Sequence, residues 1–140
     1  MQDNSIFDDA ELVAEFQEEA VSLLADAEGL LFNPACNPED LRRIFHTIKG
    51  LSGSFGLTDL ETVSRRVEAL FDRSMEQSAG RSPAVIVLVQ AIVRSYRLAF
   101  RHSDMRLWNE LGSDKTLTGA LHAWEDHLDA TGTNAQKEVS

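Results

Sequence analysis

Apolar residues return at three- and four-residue steps through most of the chain, and those steps divide it into five helical stretches with no convincing strand. From about Asp8 to Phe32 the step is kept by Leu12, Phe16, Ala20, Leu23, Ala27 and Leu30. Asp9, Glu11, Glu15, Glu18 and Glu19 fill the positions between, and acids early in a helix suit its macrodipole. Asn33-Pro34 ends this stretch. Asn37-Pro38, a cap residue followed by proline in the first turn, opens a second helix, whose apolar face is Leu41, Ile44, Phe45, Ile48 and Phe55 and which Gly56 stops. Thr58-Asp59-Leu60-Glu61 reads as a capping box for a third helix lined by Leu60, Val63, Val67, Leu70 and Phe71, fading at Ser78-Ala79-Gly80. After Ser82-Pro83, Val85, Val87 and Val89 would suit a strand. Yet Val85, Leu88, Ile92, Tyr96 and Ala99 keep a helical step, with Arg94 and Arg97 off it, so a fourth helix is expected. Met105 to Trp108 suggests a short helical turn, and about Asp114 to Asp129, with Leu117, Leu121, Trp124 and Leu128, a fifth helix.

Short connections favour antiparallel neighbours, so the pattern predicts an all-α fold, an antiparallel helical bundle closed by a C-terminal helix. Residues 1–130 read as one domain, and the small, polar residues 131–140 as a linker or disordered tail. The 43% of hydrophobic residues suffice for a core.

Charge sharpens the picture through its distribution. The net charge is −10, and all of it sits on residues 1–41, which hold acids and no Lys or Arg. The simplest reading is the solvated face of the first helix. Such a surface repels phosphate backbones, so nucleic acid is not an expected partner. The single cysteine, Cys36 between Pro34 and Pro38, excludes an internal disulfide and reads as structural or incidental. The start has neither a basic end nor an apolar stretch, and the run Pro83 to Val93, interrupted by Gln90, is too short for a bilayer. A soluble cytoplasmic protein without membrane insertion is expected.

The chemistry concentrates on the second helix. With Leu41 set at zero and roughly 100° per residue, the apolar residues occupy an arc from roughly 280° to 40°. His46 falls near 140°, Lys49 near 80°, Gly53 near 120° and Gly50 near 180°. The histidine therefore faces away from the core, with Lys49, Gly50 and Gly53 on its side. Each interior glycine costs a helix about 0.8–1 kcal/mol relative to Ala. They leave a bare backbone on which another protein or a phosphoryl group can come close, or else they allow tight packing against a neighbouring helix. Imidazole, with an unperturbed pKa near 6.5, offers a nitrogen lone pair at neutral pH and can form a covalent phosphohistidine. Lys49, one turn on, can offset phosphoryl charge.

His46-x-x-Lys49-Gly50-x-x-Gly53-x-x-Gly56 resembles the signature of histidine phosphotransfer (HPt) domains. The stretch from Asp40 to Asp72 is most similar to the amino-terminal phosphotransfer domain of chemotaxis-type (CheA-like) histidine kinases, as is Glu15-Phe16 with Glu18-Glu19-Ala20 in the first helix. The resemblance covers about residues 8–101 and weakens beyond His102. It implies a four-helix bundle whose His46 is phosphorylated on Nε2 by a histidine kinase catalytic domain. His46 then donates to an aspartate on a CheY-like response-regulator receiver domain. It implies no cofactor bound by this chain, since Mg²⁺ and ATP come through the partner proteins. In the chemotaxis subgroup a glutamate on the next helix contacts the histidine, here Glu68, where a hydrogen bond from Nδ1–H would fix the tautomer. The alternative for Glu68 is a surface pair with Arg65 on its own helix. The subgroup often has a second histidine where this chain has Arg65, which could instead contact phosphoryl oxygens; Gly50, Gly53 and Arg65 are the expected partner surface.

Other constellations are weaker. His122 and Asp126 share a helix face, but two ligands make no metal site, His127 lies off that face, and the Glu-x-x-His pairs of a di-iron bundle are absent. The glycines around Ser52 have the wrong order for a hydrolase elbow, and Lys49 precedes rather than follows them, unlike a phosphate-binding loop. Trp108 and Trp124 read as packing residues. A helical docking module without phosphate is the alternative function, and a phosphatase would need an acid-amide or metal constellation that the chain lacks.

Overall fold

Five of the helices begin where free N–H groups of the first turn find a side-chain acceptor. The computed structural model describes residues 10–79 and 82–139, with side chains as far as residue 132. The helices are α1 (Ala10–Leu31), α2 (Pro38–Ser54), α3 (Thr58–Glu76), α4 (Pro83–Phe100), α5 (Met105–Asn109) and α6 (Lys115–Val139), with a 3-10 turn at Glu110–Ser113. Asn37 Oδ1 accepts from Glu39 N at 3.0 Å ahead of Pro38, and Ser82 Oγ accepts from Val85 N at 3.2 Å ahead of Pro83. Asp104 and Asp114 cap α5 and α6 in the same way. Gly56, at φ 71°, takes the left-handed turn that separates α2 from α3.

No strand occurs among the described residues, and the architecture is the all-α bundle with an added C-terminal helix. α2 packs on α1 and α3, α1 packs on α4, and α6 packs on α4 and closes against α3. The added helix thus fills the space between α3 and α4, which meet through a hydrogen bond of 2.8 Å between Ser64 Oγ and Tyr96 Oη. Burial, offset only in part by that bond, pushes the Tyr96 phenol well above its ordinary value.

Two aromatic clusters fix the packing. Phe16 lies 4.9 Å from Phe55 and 5.4 Å from Trp108, which stacks on Phe100 at 4.7 Å. Phe45 lies 5.2 Å from Tyr96 and 6.0 Å from Phe71, which meets Trp124 edge-on at 4.9 Å. Such pairs add about 0.5–1.5 kcal/mol each beyond their area. The second cluster anchors Phe45 from below, so its neighbour His46 is held outward. Trp108 Nε1 donates to His102 O and Trp124 Nε1 to Ser74 Oγ, both at 2.8 Å, so both indoles are satisfied core groups.

Several sequence expectations shift. The buried stripe of α1 is Phe16, Ala20, Leu24, Ala27 and Leu31; Leu23 and Leu30 lie at its edge and Leu12 is exposed. Adjacent leucines at 23–24 and 30–31 let two faces compete, and tertiary packing selected the second. The expected start at Asp8 and Asp9, and the fading at Gly80, lie outside the described residues. The capping box does not form. α3 starts at Thr58 with no side-chain cap of its own. Asn109 of α5 supplies the acceptor, taking Asp59 N and Leu60 N at 3.0 Å each, and Glu61 turns to Arg65 instead. α4 continues the apolar run to Phe100, and its 18 residues, with mean hydropathy 1.4, reach the length and composition of a membrane span. Yet Val85, Val89, Ile92, Val93, Tyr96 and Phe100 are the bundle's own core. α6 remains helical to Val139 rather than ending near Asp129, and Thr131 Oγ1 bonds back to His127 O at 2.7 Å within it.

Candidate phosphoacceptor site

His46 stands on the outer flank of α2, its side chain 60% exposed, opposite Glu68 of α3. Glu68 lies at the edge of α3's apolar face and is only 8% exposed, so its carboxylate needs partners. Three donors from α2 supply them. His46 Nδ1 lies 2.6 Å from Oε2, Arg42 Nη1 reaches the same oxygen at 3.0 Å, and Lys49 Nζ donates to Oε1 at 2.6 Å. Burial alone would push the Glu68 carboxyl up, but the hydrogen bonds from Lys49 and His46 outweigh it and hold the group below its ordinary 4.5. With Glu68 ionised, Nδ1 carries the proton and donates it, which leaves the lone pair on Nε2. No described residue bonds Nε2.

Around this core lies a second ring of charge. Arg42 Nε donates to Glu39 Oε1 at 2.8 Å, its Nη2 lies 2.7 Å from the same oxygen, and Nε approaches Asp72 Oδ1 at 3.6 Å. The hydrogen bond from Arg42 holds the Glu39 carboxyl below its ordinary value. Arg65 pairs with Glu61 at 3.2 Å rather than with Glu68 or His46.

The two glycines differ. A Cβ on Gly50 would meet nothing within 4 Å, so no neighbouring helix requires this glycine. A Cβ on Gly53 would stand 3.0 Å from Glu61 Oε2, the far end of a flexible side chain. Packing therefore explains Gly53 in part and Gly50 not at all.

The structure thus brings His46, Lys49 and Glu68 into one network, with exposed Gly50 beside it, while Arg65 sits one turn away in its own ion pair. Sequence reasoning missed Arg42. The signal was present, since Arg42, His46, Lys49 and Gly53 follow the i, i+4, i+7, i+11 spacing of one stripe. No group of three or more metal-ligating side chains occurs among the described residues. His122 is exposed with its Nδ1 3.8 Å from Glu125, and Cys36 is buried.

An all-helical bundle that offers an outward-facing imidazole, backed by a carboxylate on the next helix, has the architecture of a phosphotransfer module. The family model described as the Hpt domain matches residues 11–133. The chain therefore belongs to the Hpt domain family, phosphotransfer modules of two-component signalling. No curated protein and no solved structure matches it.

Proposed function

We propose that His46 is the phosphoacceptor. A histidine kinase catalytic domain loads it, and it passes the phosphoryl group to an aspartate of a response-regulator receiver. The observation that carries this reading is the pairing of an exposed ring with a nearly buried carboxylate on Nδ1, which leaves Nε2 without a partner among the described residues.

In the loading step the Nε2 lone pair attacks the γ-phosphorus of the kinase-held ATP. An N–P bond forms and the P–O bond to ADP breaks. The ring becomes a phosphoimidazolium whose Nδ1–H stays on Glu68, so the carboxylate offsets the positive charge that develops. In the second step a receiver aspartate oxygen attacks phosphorus, the N–P bond breaks, and its electrons return to Nε2. Lys49 holds one proton on Glu68 and has others for the phosphoryl oxygens. Mg²⁺ belongs to the partners.

The partners we favour are those of the chemotaxis branch, because Glu68 holds the imidazole as the glutamate of that subgroup would. Arg65 in place of the second histidine is a departure within that branch. A cytoplasmic location follows from these partners and from the burial of α4's apolar face.

The test is phosphorylation of wild type and His46→Gln by a chemotaxis-type kinase catalytic domain with ATP and Mg²⁺, read by intact mass. Wild type should gain one acid-labile, alkali-stable phosphoryl group, and the variant none. If neither gains it, even from a small phosphoramidate donor, the chain acts as a docking module.

A further inference from the structure

Glu68 Oε2 accepts from two groups at once, His46 Nδ1 at 2.6 Å and Arg42 Nη1 at 3.0 Å. A carboxylate oxygen shared with a guanidinium attracts a second proton less strongly than one held by the imidazole alone. Arg42 is in turn drawn toward Glu39 on its own helix and Asp72 on α3. The charged groups that face the imidazole are therefore Arg42 and Lys49 from α2 and Glu68 from α3. Glu39 and Asp72 lie behind Arg42, and Arg65 is occupied by Glu61 one turn away.

We propose that Arg42 is a positioning residue for the acceptor histidine: by sharing Glu68 Oε2 it limits the pull of that carboxylate on Nδ1–H, and so sets the pH range in which Nε2 is a free nucleophile. This rests on His46 as phosphoacceptor and deepens it. Glu39 and Asp72 set how fully Arg42 engages. Where the related subgroup carries a second histidine on α3, this chain tunes the site from α2.

The sign follows from charge alone. Removing Arg42 takes a cation from beside the imidazole and leaves Glu39, Glu68 and Asp72 less compensated. All of these changes favour the protonated ring, which has no lone pair to attack with. The acid limb of His46 phosphorylation should therefore move to higher pH.

The experiment has two readouts. The His46 ring resonances are titrated by NMR in wild type, Arg42→Gln and Arg42→Lys, and the phosphorylation rate is measured against pH in the same proteins. Arg42→Gln should move both curves to higher pH and Arg42→Lys should restore them. A fall in thermal stability with neither curve moved makes Arg42 a helix clamp and overturns the proposal, as does an Arg42→Lys that fails to restore the curves. If Arg42→Gln does not fold, Asp72→Asn, at a half-exposed position, decides: it should move the ring titration to lower pH, and an unmoved curve overturns the proposal. The NMR readout needs no phosphoryl transfer, so a failure of His46 as acceptor would show separately, as an absent rate beside a shifted titration.

Discussion

Gly50→Ala separates what the fold needs from what a partner needs. Gly50 is interior to α2 and exposed, and an added Cβ would meet nothing within 4 Å. In the isolated protein the substitution removes a helix-interior glycine without a clash, so it should stabilise by about 0.8–1 kcal/mol. For a domain of this size that raises Tm by about 3 °C. If His46 is the phosphoacceptor proposed above, the same methyl lies one turn from the phosphorus that a receiver aspartate would approach. An uninvited methyl in a packed contact costs about 1–3 kcal/mol, which slows transfer by about 5- to 150-fold. The assay pairs a thermal melt with the decay of phosphorylated His46 on adding receiver. A lower Tm would refute the claim that no internal packing requires Gly50, and an unchanged transfer rate would refute the claim that the partner reads the bare backbone.

Other predictions test the network and the core. Glu68→Gln takes the charged acceptor from Arg42, His46 and Lys49 and should destabilise by about 1.5–3 kcal/mol in urea unfolding; an unchanged midpoint would mean the network carries no stability. Because Glu68 is held below its ordinary 4.5, its contribution is complete above that pH and is lost as pH falls through the lowered value. The urea midpoint of wild type should drop in that acid range, and that of Glu68→Gln should drop less. Gly53→Ala displaces only the end of Glu61, so its gain in Tm should be smaller than that of Gly50→Ala; a larger gain would contradict the close approach. Trp124→Phe strips the donor from the fully buried Ser74 hydroxyl and should cost about 1–3 kcal/mol, whereas no loss would show that this bond carries no stability.

The helices were legible in the sequence because each buries one face, and a 3.6-residue period survives in the order of residues. What stayed hidden depends on contacts distant in sequence. Nothing local to Thr58 reveals that Asn109 caps its helix, and the leucine pairs of α1 leave its rotation undecided until α4 and Phe100 pack against it. The candidate site divides the same way. The outward angle of His46 and the stripe it shares with Lys49 and Gly53 came from spacing alone, whereas the pairing with Glu68 came only from resemblance.

The pairing of His46 with Glu68 carries further pairings with it. In antiparallel helices, stepping a turn forward on one strand of the pair means stepping a turn back on the other. His46 opposite Glu68 therefore places Arg42 opposite Asp72 and Gly53 opposite Glu61, and the structure has both pairs in contact. Helix spacing thus already sets Arg42 beside the carboxylate. What concealed it was Glu39, three residues earlier, with which it makes the ordinary ion pair of an exposed helix. An arginine with a local partner looks finished, yet a guanidinium has five donors, and those left over by Glu39 reach across to the oxygen that holds the histidine.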